Sequence, residues 1–331
     1  MTRYISYAQN GEDVILTRIF GSQKYGFYVD IGASHPKSLS VTKNFYDSGW
    51  RGVNVEPLKH NYELFIQERP RDTNLNLLIS AEERDYIFFE VRSYPELSTL
   101  DEEHAKVLQA AGHDVVSYTV PAITSSQLFE RYISEDVDFL KIDVEGGEYE
   151  VVSSLDLNKY RPKILIIEAT KPNSAFPGWE NLKSVYNHQQ WEKLVLDSNY
   201  LFAHFDGLNR FYVRGENPEL LDYFTVGLCS HDAFIRADDA QHILELEKHA
   251  ADRLEQVEVL TKLLSQVEED RAARGTQIET LTEMVRASEA DRAARGEQIT
   301  TLTEMVRASE ADRTARGEQI AKLSAILQKK L

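Results

Sequence analysis

The chain has 331 residues, of which 37 are basic and 54 acidic, for a formal charge of −17. That balance argues against nucleic acid as the main partner, because phosphate binding needs a clustered basic surface. A single cysteine, Cys229, excludes an intramolecular disulfide and a multi-cysteine zinc site. No apolar run approaches the roughly 20 residues that cross a bilayer, so a cytoplasmic protein with no membrane insertion is expected.

All three tryptophans and all nine prolines lie before Ala237, and the remainder is rich in Ala, Glu, Arg, Leu and Thr. The composition therefore divides the chain into a globular part, 1–236, and a fibrous part, 237–331. Neither part is basic: 23 basic and 35 acidic residues precede position 237, and 14 and 19 follow it.

In chain order, Ser6 to Asp13 puts polar residues ahead of a periodic run, Val14 to Phe20, which predicts a helix. Gln9, Asn10 and Glu12 either project toward a ligand crevice or form an ordinary acidic helix start. Phe27-Tyr28-Val29 is a short apolar run that stops at an acid, Asp30, and passes into the small-residue turn Ile31-Gly32-Ala33-Ser34. A helix over 41–48 and a Gly-Trp-Arg-Gly break follow, and then a second apolar run, Val53-Asn54-Val55, ends at Glu56-Pro57. Strand, helix, strand is one βαβ unit, and open α/β sheets bind ligands at the carboxyl ends of their strands. Asp30 and Glu56 are thereby predicted side by side, one facing the amine end of a nucleoside ligand and the other its ribose hydroxyls.

A helix over 59–68 leads to a predicted third strand, 75–79, ending at Ser80-Ala81, and a further strand covers 86–91. A helix over 102–111, a strand over 116–120 and a helix over 125–132 come next. The run 137–142 then ends at Asp143, with Glu145 two residues on and paired glycines at 146 and 147 before a helix over 148–155. Ile164 to Ile167 is another buried strand that stops at an acid, Glu168. Charges are usually kept out of buried positions unless paired or ligated, so four apolar strands ending in acids mark a site. A helix over 182–196 and a hairpin of 201–205 with 210–213 close the globular part. An antiparallel pair added to a mostly parallel sheet is the class I methyltransferase arrangement, a Rossmann-like α/β fold, and is foreign to a dinucleotide-binding sheet.

The tail repeats itself. Asp270-Arg271, Asp291-Arg292 and Asp312-Arg313 recur every 21 residues, which is three heptads. With Ile243 at position a, the a sites hold Val257, Ile278, Val285, Ile299 and Val306, and Leu is frequent at d. Such a register predicts a long α-helical coiled coil, and hence a homo-oligomer through 243–327. The arginines fall at a and are each preceded by an aspartate at g, which offsets a buried cation with a partner's anion.

The motifs Gln9 to Asp13, Val29-Asp30-Ile31-Gly32-Ala33, Ser40-Val41-Thr42-Lys43, Gly49-Trp50-Arg51-Gly52, Val55-Glu56-Pro57, Lys141 to Gly146 and Asp206 to Tyr212 together resemble the FkbM family of S-adenosylmethionine-dependent methyltransferases. The resemblance covers about two thirds of the chain and leaves the tail outside. It implies O-methylation of a hydroxyl on a glycan or other small-molecule acceptor, often in cell-surface glycan assembly, with a glycan-assembly enzyme as a possible partner. Carried over by position, it implies that Asp30, Gly32, Ala33 and Ser34 form the cofactor loop and that Glu56-Pro57 serves the ribose. Ser80 and Ala81 would lie near the adenine, and Asp143 near the methionine end and the transferred methyl. Ser34-His35-Pro36 stands where a further glycine is common in methyltransferases.

A sugar hydroxyl is a weak nucleophile, so a general base is expected to help by roughly 10² to 10⁴. His35, Asp143, Glu145 and Glu168 are candidates; His35 alternatively caps the turn after Pro36. Asp143 with Glu168 alternatively binds a divalent metal, although Mg²⁺ wants more oxygen ligands than two carboxylates supply. Two rivals stand beside this reading: a coiled-coil scaffold carrying a degenerate methyltransferase-like domain, and a nicotinamide-dependent oxidoreductase. The acidic strand ends disfavour the first, and the lack of a G-x-G-x-x-G turn disfavours the second.

Overall fold

In the computed structural model, which describes residues 4–171 and 185–328, the chain opens with a strand, β1 (Tyr4–Ser6), and a helix, α1 (Glu12–Phe20). Then come β2 (Phe27–Ile31), α2 (Lys43–Asp47), β3 (Arg51–Val55), α3 (Lys59–Glu68) and β4 (Thr73–Leu75). The middle of the chain supplies β5 (Leu78–Ile79), β6 (Arg84–Val91), α4 (Glu102–Ala110), β7 (Val115–Ile123) and α5 (Ser125–Tyr132). It continues with β8 (Phe139–Ile142), α6 (Glu148–Ser153), β9 (Ile164–Glu168), α7 (Glu192–Asp197), β10 (Tyr200–Phe205), β11 (Asn209–Arg214) and β12 (Phe234–Arg236). One helix, α8 (Ala237–Gln328), follows.

The main sheet has the order β10-β11-β9-β8-β2-β3-β4. From β9 to β4 the strands are parallel, and β11 runs antiparallel to both β9 and β10. β2, β8 and β9 are buried along their whole length, which is why they read as continuous apolar runs. Alternation along the strands sends Val29, Ile31, Val53, Val55, Leu140 and Ile142 into one core layer. Tyr28, Phe139, Ile164 and Ile166 go into the other, around Trp50, Phe45 and Phe20.

The same alternation and register set a polar row across the second face. Asn74, Asn54, Asp30 and Lys141 stand on adjacent strands in register. Asn54 donates to Asn74 and Asp72 at 2.8 and 3.0 Å, whereas the oxygens Asn54 Oδ1 and Asp30 Oδ1 in the same row accept no hydrogen bond.

Three sequence expectations change. The single strand over 75–79 is two short strands in different sheets: β4 ends the main sheet, and β5 joins a three-stranded sheet of order β5-β7-β6. The break is made by Asn76, whose side-chain amide donates to the carbonyls of Glu56 and Pro57 at 2.9 Å each. Over 182–196, residues 182–184 lie outside the described residues. The rest is a bridge of Tyr186 to Thr170, a 3₁₀ turn at His188–Gln190 and the short α7. Backbone bonds from Lys171 to Val185 and from Asn187 to Ala169 hold that stretch extended, against helix formation. The helix over 41–48 is shorter, and Thr42 lies buried beneath it, with its hydroxyl 3.5 Å from Asp30.

Contacts divide the chain into two compact units, Met1–Leu244 and Glu245–Leu331. α8 is 92 residues long, about 140 Å at ~1.5 Å per residue. Among the described residues, no helix is long and apolar enough to cross a membrane.

Candidate functional site

Four neighbouring parallel strands, β3, β2, β8 and β9, bring Glu56, Asp30, Asp143 and Glu168 to one edge of the sheet. The loops that follow them are interlocked by backbone hydrogen bonds. Gly32 and Ala33 both donate to the carbonyl of Val55 at 3.0 Å, Asp143 donates to Ile31, and Glu56 donates to Leu75. Gly32 has φ +77°, and a Cβ there would sit 1.7 Å from the Asp143 carbonyl oxygen, so only glycine fits. Ser34 and Glu145, on the two loops, hold φ +54° without being glycine. Strained residues of this kind persist where the surroundings over-determine them, commonly at binding sites.

The Glu56 carboxylate organises the first loop. It is 4% exposed, and its two oxygens accept from Ser34 N at 2.7 Å and Leu58 N at 2.8 Å. Burial pushes its pKa up to about 8 against the pull of those two N–H groups. Each oxygen keeps a further lone pair for a ligand hydroxyl.

Asp30 and Asp143 share one cation that the sequence reading did not single out. Lys141, 6% exposed, lies 3.7 Å from Asp30 and 3.1 Å from Asp143. Burial alone would lower the lysine pKa, but Asp143 and Asp30 outweigh it and raise the value above the ordinary one. The signal in sequence was a lone charge inside an apolar strand, Phe139-Leu140-Lys141-Ile142. Asp30 is 1% exposed and its Oδ1 accepts no hydrogen bond; burial raises its pKa, with Lys141 opposing.

Behind the first loop lies the fully buried Arg69. It donates to the Pro36 carbonyl, to Ser40 Oγ at 3.2 Å and to Tyr28 OH at 3.3 Å, and Ser40 Oγ is 3.3 Å from Thr42 Oγ1. This network supports Asp30 from below.

Glu168 is 7% exposed. Its Oε1 accepts from Thr170 Oγ1 at 2.6 Å and its Oε2 accepts nothing. Burial, followed by the negative charge of Asp143, pushes its pKa up to about 10. Glu12 is likewise buried and closes the far side of the edge. It accepts from Asn10 N at 2.8 Å and Asn209 Nδ2 at 2.7 Å, and burial pushes its pKa up to about 7. The residues at the helix start thus tie the first helix to the turn between β10 and β11, where Asn10 also donates to Asp206 O.

Ser80 and Ala81 follow β5, which belongs to the three-stranded sheet and not to the main one, and Ser80 donates to Tyr86 OH and to Ile123 O. The residue that does follow the last main-sheet strand is Asn76, which clamps Glu56 and Pro57. His35 accepts backbone N–H groups from Lys37 at 3.1 Å and Ser38 at 2.9 Å through Nδ1. That is the geometry of a turn cap, and burial lowers its pKa. Among the described residues, no group of three or more His, Cys, Asp or Glu is arranged to hold a metal ion, so Asp143 and Glu168 gain no third ligand of these types there.

The methyltransferase FkbM domain family matches residues 30–202, a little over half of the chain. Among solved structures, a TehB-like SAM-dependent methyltransferase from Corynebacterium glutamicum is similar at 8% identity and a TM-score of 0.33, over 62% of this chain and 87% of that one. No curated protein matches.

Proposed function

The chain belongs to the FkbM methyltransferase family, and from that premise we propose that its acidic crevice binds S-adenosylmethionine and methylates a hydroxyl of a sugar acceptor. The observation that carries this reading is the charge of the sheet edge. Asp30, Glu56, Asp143 and Glu168 meet there with Lys141 as the cation among them, and two buried carboxylate oxygens, Asp30 Oδ1 and Glu168 Oε2, accept no hydrogen bond. Such a site suits a ligand that carries positive charge. The strand order, with β11 reversed between β9 and β10, is that of class I methyltransferases.

The residues fit the cofactor. Gly32 lets the loops after β2 and β8 pack backbone to backbone at the crevice, Glu56 has lone pairs left for two ribose hydroxyls, and Asp30 is the anion for an ammonium group. When bound, S-adenosylmethionine supplies an electrophilic methyl group on a cationic sulfonium. The remaining work falls to the chain: it holds the acceptor oxygen in line and takes its proton. Glu168 is best placed for the proton, because Asp143 is committed to Lys141 and His35 Nδ1 to the turn. A nearby positive ligand favours the carboxylate form of Glu168 over the acid.

The sugar acceptor, and a role in cell-surface glycan assembly, rest on the family resemblance. The sequence offers two loops for acceptor specificity, 97–112 and 173–179, and the second lies outside the described residues. Calorimetric titration of the full-length chain with S-adenosylmethionine and with NADH tests the cofactor. Micromolar binding of the first alone, lost in Asp30→Ala and Glu56→Ala variants that stay folded, is expected. Absence of binding would leave the non-catalytic scaffold reading. Labelled methyl transfer to sugars and to amines of matched size then tests the acceptor class; labelled amines with unlabelled sugars would refute O-methylation.

A further inference from the structure

The exposed seam of α8 carries an inference independent of the chemistry. Ile278, Leu281 and Val285 recur 21 residues later as Ile299, Leu302 and Val306, and all six are 57–64% exposed. A helix this long that leaves a heptad stripe uncovered needs a partner along it, since contiguous apolar surface is otherwise a liability in water. We propose that a second copy of this chain covers it, as a parallel, in-register two-stranded coiled coil.

The argument for a second copy is that each repeat carries its own complement. In a parallel coil a residue at a packs beside the partner's preceding g residue, and one at d packs beside the partner's e residue. Arg292 at a therefore meets Asp291 of the partner subunit at g. In its own helix Asp291 already holds Arg295, the d residue of the same repeat, at 2.9 Å, and Asp312 holds Arg316 at 2.6 Å. The aspartate at g thus stands between an arginine of its own chain and one of the partner. In an antiparallel pair g would flank g, and this contact would be lost.

The glycines complete the pattern. Gly275, Gly296 and Gly317 occupy e, directly after an arginine at d, and a Cβ on any of them would meet nothing within 4 Å in its own chain. A helix interior normally disfavours glycine, and nothing within one chain calls for it here. At e of a parallel coil, it leaves room for the partner's arginine at d. β-branched residues at a with leucine at d favour two strands.

The test uses the full-length chain. Sedimentation equilibrium at about ten micromolar is expected to give twice the chain mass; a single-chain mass overturns the proposal, and three or more chains overturn the two-stranded assignment. In a Cys229→Ser background, Val285→Cys and Val306→Cys are each expected to form covalent dimers on mild oxidation. If a mixture of the two crosslinks mainly between positions 285 and 306, the strands are shifted by one repeat and the register is wrong. Reversing Asp270, Asp291 and Asp312 to Arg is expected to weaken the dimer about tenfold or more, and adding Arg271→Asp, Arg292→Asp and Arg313→Asp to restore it. An unchanged dissociation constant in the triple variant, with helicity intact, removes the interchain role of these pairs.

Discussion

Gly32 lies so close to Asp143 that a Cβ built on it would stand 1.7 Å from the Asp143 carbonyl oxygen. The loops after β2 and β8 are therefore packed backbone to backbone, and the separation of Asp30 from Asp143 is set by the absence of one methyl group. Gly32→Ala is expected to push the loops apart at a position that also requires positive φ. We expect a loss of ~2 kcal/mol or more of stability and a weakening of S-adenosylmethionine binding of at least about tenfold. Urea denaturation and calorimetry measure the two separately, and wild-type values for both would show that the loops can yield.

Lys141 connects the same two acids from inside the sheet. Removing one partner of a buried charge pair leaves the other uncompensated, which typically costs ~3–5 kcal/mol. Lys141→Met should therefore be strongly destabilising at pH 8. At pH 5 the cost should shrink, because Asp30, whose pKa burial already raises, can take up a proton and become neutral. Equal costs at both pH values would mean that Lys141 contributes packing and not charge.

The acids were legible in the sequence and their cation was not, for a physical reason. A carboxylate that closes an apolar run is anomalous on local grounds alone, so Asp30, Glu56, Asp143 and Glu168 declared themselves. Lys141 has its meaning only through Asp30, which the parallel register of β2 and β8 brings beside it. The same holds for Arg69: nothing near it in sequence indicates that it pins Pro36 and Ser40 under the first loop. The strand over 75–79 was misjudged because hydrophobic pattern cannot see Asn76 turning its amide to the carbonyls of Glu56 and Pro57. Helices α3 and α5 carried stronger local signals; in α5 the capping box of Thr124 and Gln127 fixes the start within the sequence itself.

Stability should fall as pH rises through neutrality. Glu56 and Glu12 have folded pKa values of about 8 and about 7, above their ordinary value of 4.5. Between 4.5 and those values the folded chain holds protons that the unfolded chain has released. Their contribution is therefore full below 4.5 and lost as pH climbs through 7 to 8, on the order of 8 kcal/mol in all. Thermal unfolding from pH 5 to 9 should show a declining midpoint, and the decline should lessen in Glu56→Gln. A cationic ligand favours the carboxylates, so binding at pH 7 should release protons, seen as a dependence of the calorimetric heat on buffer. A midpoint that rises over this range would contradict the assignment.

Glu168 offers the sharpest test of the chemistry, because its replacement by Gln keeps the shape and the bond from Thr170 while removing the acid. If Glu168 takes the proton of the acceptor hydroxyl, Glu168→Gln should lower kcat by ~10² to 10⁴ and leave S-adenosylmethionine affinity within about threefold, since the ribose and ammonium contacts belong to Glu56 and Asp30. The wild-type rate should rise with pH across the neutral range, because burial and the negative charge of Asp143 raise the pKa of this carboxyl in the free protein and it must lose its proton to act. That slope should vanish in the variant, leaving a flat residual rate. A Glu168→Gln enzyme with wild-type kcat would move the proton to another acceptor, and Asp143 would be the next carboxylate to substitute.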